Sequence, residues 1–148
     1  MTLNLHTRSP AGQTPVHPQW GIRSETGVLR DVLIGPIEHY SWRDGNAVSK
    51  RYLRDGVSYD AKVARAQYDE MLGAYRAAGV RTHFLAPQSD QPYALFARDS
   101  SVMTPWGAVI CQMHSPWRRA EWIAALEFYQ SMAIPIFDAV SAGTFEGG

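Results

Sequence analysis

The feature that most constrains the fold of this chain is a helix-to-strand pattern that occurs twice. Each copy has apolar residues at three- and four-residue steps, as on one face of a helix, and then passes directly into a short apolar run typical of a strand. The matching positions, which lie 54 residues apart, are Leu72, Tyr75 and Val80 in the first copy and Leu126, Tyr129 and Ile134 in the second. The repeat predicts an α/β fold assembled from similar modules.

The second copy is predicted to belong to a strand-strand-helix-strand (β-β-α-β) module. Its strands are expected at 100–104, 108–113 and 134–137, and its helix at 118–132. A turn at 105–107 joins the first two strands. The helix is expected to direct four side chains toward the core: Trp122, Ile123, Leu126 and Tyr129.

The first copy is expected to follow the same order. A largely buried strand is predicted at 28–34, a helix at about 60–78 and a strand at 80–85. Asp60 can accept hydrogen bonds from the free amides of the first helical turn, and Gly79 stands where helices often end in a left-handed residue. The aromatic and charged segment 38–59 has no clean period, so it is either a long loop over a site or a short exposed helix between coils.

Composition indicates a soluble globular chain and excludes several classes of partner. With 148 residues, 45% of them hydrophobic, the chain can bury the core of one domain. Its 14 basic and 14 acidic residues cancel, so the positive excess of a nucleic-acid binder is absent. The single cysteine, Cys111, allows no internal disulfide, and no apolar run spans a bilayer. We therefore expect a cytoplasmic protein without a metal, nucleic-acid or membrane partner.

The two ends of the chain are expected to differ in order. Residues 1–19 contain several prolines among polar residues, which opposes both helix and strand, so we expect a loose leader there. The ordered domain is expected to span 20–148. Because two modules alone leave faces uncovered, we expect this domain to be truncated at its C-terminal end and the isolated chain to associate. A homo-oligomer is compatible with the sequence.

Two short segments carry the chemistry. The sequence FARDSS at 96–101 places Arg98 next to Asp99 at the entrance of a predicted strand, either as a functional site or as a local ion pair or turn cap. The sequence GTFEGG at 143–148 adds a second carboxylate, Glu146, followed by two glycines. These glycines either let the backbone approach a ligand closely or form a flexible tail.

Together, the two segments resemble the guanidine-modifying superfamily of the pentein fold: arginine deiminases, dimethylarginine dimethylaminohydrolases and amidinotransferases. The hydrolases carry an F-x-R-D segment and a later E-G-G-D segment, whose acids face the substrate guanidinium. The resemblance runs from about residue 20 to 148 and is closest at 96–128. It implies a pentein-type α/β propeller of which about two of five β-β-α-β modules are present.

The resemblance implies a site for a small guanidino substrate. Asp99 and Glu146 are the implied catalytic acids; they also bind substrate, together with Phe96 as an aromatic wall and Arg118 as the contact for a substrate carboxylate. Two carboxylates suit this cation, because a guanidinium is planar, stays charged at neutral pH and forms paired hydrogen bonds. The other interpretation of Arg118 and Arg119 is a solvated helix start, although basic charge there opposes the helix dipole.

The covalent chemistry implied by the resemblance requires residues that this sequence does not provide. In the superfamily a cysteine thiolate attacks the guanidinium carbon and a histidine transfers protons, and both follow the E-G-G-D segment. Cys111 lies in an apolar strand, where a cysteine behaves as a small buried hydrophobe. We therefore expect the 148-residue chain alone to lack turnover, and the full-length protein to need no metal or organic cofactor.

Two functions remain open from the sequence. The first is part of a cysteine-dependent guanidine-modifying enzyme, either an amidinohydrolase or an amidinotransferase. The alternative is a non-catalytic pentein module that binds a guanidino metabolite or a protein partner. Tyr93 stands six residues before Asp99, where arginine deiminases carry an asparagine, and this departure favours a substrate other than free arginine.

Overall fold

The structure is a computed structural model that describes residues 20–22, 24 and 26–147. The leader predicted at 1–19 and the final Gly148 lie outside the described residues. The chain divides into two compact units, one being Leu29–Leu95 and the other the described parts of Met1–Val28 and Phe96–Gly148. No helix in the part of the chain that the structure describes is long and apolar enough to cross a membrane.

The unit Leu29–Leu95 consists of two parallel strands connected through two helices. Its elements are β1 (Asp31–Ile34), α1 (Ala47–Arg54), α2 (Ala61–Ala77) and β2 (Arg81–Phe84). Parallel strands need a long crossover, which the two helices supply. The predicted helix is confirmed in α2, where the Asp60 carboxylate accepts from the amides of Lys62 and Val63, and Gly79 follows with a φ of 72°.

For the segment 38–59, the short-helix alternative is confirmed. α1 has no buried residue, and its N-cap is Asn46, whose Oδ1 accepts from the amide of Ser49 at 2.9 Å. Turns and coil flank it. Tyr93 fixes part of this segment, because its hydroxyl accepts from the amide of Arg43 at 2.9 Å and donates to the carbonyl of Arg43 at 3.3 Å.

The second unit contains the predicted β-β-α-β order, preceded by a single helical turn. Its elements are α3 (Ala97–Ser100), β3 (Ser101–Thr104), β4 (Gly107–Ile110), a 3-10 helix (Pro116–Glu121), α4 (Trp122–Ser131) and β5 (Ile136–Ala139). β3 and β4 form an antiparallel hairpin, and β5 pairs in parallel with β4. Gly107 permits this pairing, because its φ is 139° and a Cβ there would meet the carbonyl of Pro135.

The core of the second unit lies between α4 and the sheet. Its buried residues include Ala124, Ala125, Leu126 and Tyr129 from α4 and Ala108, Ile110 and Ile136 from the sheet. The hydroxyls of Ser101 and Tyr129 hydrogen-bond at 2.9 Å, which satisfies two interior polar groups. The prediction that Trp122 and Ile123 face the core was wrong, since they are 37% and 38% exposed. The chain enters α4 through a 3-10 helix, and the small side chains of the two alanines let α4 lie close to the sheet.

Only part of the predicted repeat is present. Between residues 29 and 95 the structure has one strand, two helices and one strand, so the described residues lack the second strand that a β-β-α-β order requires. Several strands are also shorter than predicted, such as β1, which begins at Asp31, and β4, which ends at Ile110. An apolar run does not reveal where pairing with a neighbouring strand stops. The five-module propeller stays a prediction.

Candidate functional site

A one-turn helix presents the predicted motif aspartate. α3 buries Ala97 and Ser100, and the hydroxyl of Ser100 donates to the carbonyl of Ala97 at 3.1 Å. With these two small residues inside, Arg98 is exposed and the side chain of Asp99 is 24% exposed. The carboxylate of Asp99 is thus partly shielded from water and still accessible to a ligand.

The guanidinium of Arg118 lies between two carboxylates. Its Nη1 donates to Oδ2 of Asp99 at 3.0 Å. Its Nε and Nη2 donate to the two carboxylate oxygens of Glu121 at 2.8 and 2.7 Å. This bidentate pairing is the arrangement in which arginine binds a carboxylate most strongly. The 3-10 helix supplies both side chains of the Arg118–Glu121 pair, because its three-residue turn aligns positions three apart.

The Arg118–Glu121 pair is buried, with 12% and 3% of the two side chains exposed. Burial is the main cause that raises the pKa of Glu121; the charge of Arg118 opposes it, and the charges of Asp99 and Glu146 add to it. Burial acts to lower the pKa of Arg118, but the hydrogen bonds and charges of Glu121 and Asp99 together outweigh burial and raise it. The carboxylates of Asp99, Glu121 and Glu146 therefore lie near enough to influence one another.

The segment after β5 runs alongside the residue that follows β4. Phe145 and Gln112 form an isolated antiparallel bridge, and Nε2 of Gln112 donates to the carbonyl of Gly143 at 2.6 Å. Two independent hydrogen-bonded contacts thus hold residues 143–145 in place.

Gly147 is pressed against the backbone of α3. Its amide donates to the carbonyl of Asp99 at 3.2 Å, and its carbonyl accepts from Nε of Arg98 at 3.3 Å. A Cβ at Gly147 would meet the carbonyl of Arg98 and, at 2.7 Å, the side chain of Val102. Close backbone approach therefore requires a glycine at this position.

Glu146 lies in the same electrostatic surroundings as Asp99. Its Oε1 accepts from the backbone amide of His114 at 2.9 Å. The charges of Asp99 and Glu146 both raise the pKa of Cys111, and both raise the pKa of Glu121. Because such effects weaken with distance, both carboxylates lie near the same two residues, and the structure brings the two predicted acids into one neighbourhood.

Phe96 adds an aromatic surface to this cluster. The Cζ atom of Arg118 lies 6.0 Å from the centre of the Phe96 ring, within the range of a cation–π contact. The ring is nearly half exposed. Phe96, Asp99 and Arg118 are therefore neighbours, and Glu146 is tied to them through the adjacent Gly147.

Cys111 has the character of an interior residue. Its side chain is buried. Burial is the main cause that raises the pKa of its thiol to about 11, and the charges of Asp99 and Glu146 add to the effect. At neutral pH the thiol is therefore protonated and a poor nucleophile. Within the described residues, no group of histidine, cysteine and acidic side chains is arranged to hold a metal ion.

Sequence reasoning missed Glu121. It is almost fully buried and makes two short ion-pair contacts with Arg118, so the solvated-helix interpretation is wrong for Arg118, although Arg119 is exposed. The spacing of Arg118 and Glu121, three positions apart just before the apolar start of α4, could have indicated the pair. The local ion-pair interpretation of Arg98 and Asp99 also differs from the observed contacts, since Asp99 pairs with Arg118.

The chain is similar to proteins of known sequence and of known structure. No protein-family model matches the sequence. An uncharacterised protein of Aeropyrum pernix is 29% identical over 103 residues, which cover 68% of this chain and 38% of that protein.

Among solved structures, AgrE in its binary complex with L-arginine has a TM-score of 0.69 at 15% identity, over 82% of this chain and 18% of AgrE. Dimethylarginine dimethylaminohydrolase, as an adduct with S-methyl-L-thiocitrulline, has a TM-score of 0.61 at 18% identity, over 81% of this chain and 45% of that enzyme. The substrate-bound N-terminal domain of ArgZ, a cyanobacterial arginine dihydrolase, has a TM-score of 0.67 at 14% identity, over 79% of this chain and 42% of that domain.

These likenesses establish the fold. The chain has the fold of the N-terminal part of pentein-superfamily guanidine-modifying enzymes. The resemblance predicted from the two motif segments is therefore confirmed for the fold. The chain spans 45% or less of the length of each of these structures and 38% of the Aeropyrum protein.

Proposed function

We propose that this chain forms part of the substrate-binding wall of an enzyme that modifies the guanidinium group of a small molecule. The observation that carries the proposal is the charge of the cluster. The carboxylates of Asp99 and Glu121 bind the guanidinium of Arg118, and the carboxylate of Glu146 lies near enough to raise the pKa of Glu121. A second planar cation would reduce this negative excess and find acceptors on Asp99 and Glu146, with the Phe96 ring beside it.

The proposed reaction is cysteine-dependent transfer or hydrolysis of the amidino group through a covalent intermediate. In this proposal Asp99 and Glu146 hold and orient the guanidinium, which lowers the entropic part of the barrier. Since Cys111 is buried with a raised thiol pKa, the proposal assigns the nucleophile to residues outside these 148, and the resemblance implies the same for the histidine proton carrier. Whether water or an amine completes the reaction is not fixed by the residues of this chain, so hydrolase and transferase both stay within the proposal.

A binding experiment tests the proposed role of the two acids. Methylguanidinium is titrated into the 148-residue chain and followed by NMR shifts of the backbone amides. We expect Asp99→Asn and Glu146→Gln each to weaken binding about tenfold, because each removes a charged acceptor. The exposed acids Asp90 and Glu127 provide the matched controls Asp90→Asn and Glu127→Gln, which should leave binding unchanged. Equal effects in test and control variants would contradict the proposal.

A non-catalytic guanidino-binding module is the second candidate. The protonated thiol of Cys111 favours it for the chain by itself, since the only cysteine is unreactive at neutral pH. An activity assay separates the two candidates. The chain alone should release no ureido or amine product from L-arginine above the level of Asp99→Asn, whereas the full-length protein should turn over if it is an enzyme. Product from the chain alone would contradict the assignment of the nucleophile to other residues.

A further inference from the structure

We infer that Arg98 and Gln112 are positioning residues that hold the carboxylate of Glu146 in place beside Asp99. Each donates a side-chain hydrogen bond to a backbone carbonyl, one at each end of the segment 143–147. These two hydrogen bonds are the braces of the segment. That Glu146 binds a cation rests on the proposed function, whereas the braces rest on contacts within the chain.

The segment 143–147 depends on hydrogen bonds because its side chains do little to fix it. No residue from 141 to 146 is buried, and the side chain of Phe145 is nearly half exposed. Gly143 and Gly147 have no side chain at all. A stretch with so little buried apolar surface opens locally at a small cost in free energy. The hydrogen bonds of this segment therefore determine where Glu146 lies.

Gln112 fixes the beginning of the segment. It lies two residues after β4, and its Nε2 donates to the carbonyl of Gly143 at 2.6 Å. Its own carbonyl accepts from the amide of Phe145 at 2.9 Å. One residue thus holds the segment at two positions. Only the first of these bonds depends on the side chain, so a substitution removes the brace and leaves the backbone bond.

Arg98 fixes the end of the segment. It directly precedes Asp99 on α3, and its Nε donates to the carbonyl of Gly147 at 3.3 Å. The amide of Gly147 donates to the carbonyl of Asp99 at 3.2 Å. The two bonds join Asp99 and its neighbour to the residue that follows Glu146. Arg98 is exposed, so its contribution comes from a directed hydrogen bond and not from burial.

The braces act on the carboxylate of Glu146 through the position of its backbone. Among the described residues, the hydrogen bond that this carboxylate forms is the one from the amide of His114 to Oε1 at 2.9 Å. That bond persists only while the segment keeps its distance from His114. A carboxylate that is held in place before a ligand arrives loses less conformational freedom on binding. The braces therefore pre-orient Glu146 and set the width of the gap between it and Asp99.

The amide of His114 reports the position of Glu146 without any ligand. Its hydrogen exchange is measured by NMR in the unmodified chain and in Gln112→Met, which keeps an unbranched side chain but removes the donor. We expect about three- to tenfold faster exchange at His114, as for the net loss of one hydrogen bond, and unchanged exchange in β4. Gln130→Met is the control, because Gln130 is exposed on α4. Equal exchange at His114 in Gln112→Met and in the control would overturn the inference.

Arg98→Lys removes the second brace. Lysine keeps the positive charge, but a carbon stands where Nε was and the amine lies one atom farther along the side chain. Exchange at His114 should again be faster, and fastest in the double variant with Gln112→Met. The exposed Arg119 gives the control Arg119→Lys, which should have no effect. Unchanged exchange in Arg98→Lys, or an acceleration that extends equally to β4, would show that Arg98 does not position Glu146.

Two cations of different width test whether the braces matter for binding. Dissociation constants of guanidinium and N,N-dimethylguanidinium are measured for the 148-residue chain by NMR titration. Gln112→Met and Arg98→Lys should each weaken both probes about threefold. The ratio of the two constants should also move closer to one, because a looser gap discriminates less between narrow and wide heads. A merely structural role would lower the thermal midpoint and leave this ratio unchanged.

The two kinds of measurement separate failure of the braces from failure of the proposed function. If the unmodified chain binds neither probe, the proposed function fails, and the braces are judged from the exchange of the His114 amide alone. If the chain binds the probes and exchange at His114 responds, but both constants stay the same in the variants, Arg98 and Gln112 are not positioning residues for binding. That result would also overturn the inference.

Discussion

The amide of Gly147 donates a hydrogen bond to the carbonyl of Asp99 at 3.2 Å. This contact joins two segments that lie 48 positions apart in the sequence and contain the two predicted acids. Because Glu146 directly precedes Gly147, the backbone bond determines how closely its carboxylate approaches α3. The separation of the acids is therefore sensitive to a residue that carries no side chain.

Substitution of Gly147 should weaken both the fold and the site. In Gly147→Ala the new methyl group would meet the Arg98 carbonyl and the Val102 side chain. We expect the free energy of unfolding to fall by about 1–3 kcal/mol, as in other overpacked positions, and methylguanidinium binding to weaken. Gly73→Ala is the control, because nothing lies within 4 Å of a Cβ there and the residue is inside α2. It should raise the free energy of unfolding by about 0.5–1 kcal/mol.

Cys111 should react slowly with alkylating reagents. A rise in its pKa from 9.0 to about 11 lowers the thiolate fraction at pH 8 about a hundredfold, and burial restricts access further. Mass spectrometry after timed exposure to iodoacetamide should show slow modification of the native chain and fast modification after unfolding. Rapid modification of the native chain would contradict the buried, protonated state.

The same thiol should make stability depend on pH in alkaline solution. Since the pKa is higher in the folded state, the contribution of Cys111 is fully present below pH 9 and is lost as the pH rises through about 11. Between pH 8 and 11, the thermal midpoint of Cys111→Ala should therefore fall less than that of the unmodified chain. An identical alkaline profile for the variant would contradict the predicted shift.

The unit Leu29–Leu95 should lose stability in acid through Asp31. Its hydrogen bond from Arg81 is the main cause that lowers the pKa below 3.8; burial opposes it, and His83 assists. The contribution of Asp31 to the free energy of unfolding is therefore present above pH 3.8, and it is lost as the pH falls through the lowered pKa of the folded state. Asp31 is partly exposed, so we expect less than about 1 kcal/mol. In acid, the thermal midpoint of Asp31→Asn should fall less than that of the unmodified chain. The midpoint of the exposed control Asp90→Asn should fall as much as that of the unmodified chain.

The isolated chain should associate through its exposed apolar side chains. Val48, Tyr52 and Leu53 on α1 are exposed, with no buried residue on that helix. Sedimentation velocity at increasing concentration should show growing species, and Leu53→Lys should reduce them more than Ala77→Lys, which adds the same charge at an exposed position of α2. A monodisperse monomer at all concentrations would contradict this prediction.

Periodicity predicted α2 well, because residues that favour a helix start and a helix end stand at its two ends. Asp60 and Gly79 bound α2 as expected, and the repeat gave the correct order of elements in the second unit. Strand ends were less accurate, since pairing depends on residues distant in the sequence. The motif segments predicted which residues of the site lie together. They did not predict Glu121, because its role depends on the burial of the Arg118 head, which follows only from the packed structure.

The acidic cluster around Arg118 also decides which denaturant reports the stability of this chain faithfully. Guanidinium chloride supplies, at molar concentration, the planar cation for which Asp99 and Glu146 are the proposed acceptors, so it should bind to and screen the cluster while the chain is still folded. Urea is uncharged and lacks this competition. Unfolding in urea should therefore leave the charges of the cluster unscreened up to the transition, whereas guanidinium chloride should screen them while the chain is still folded.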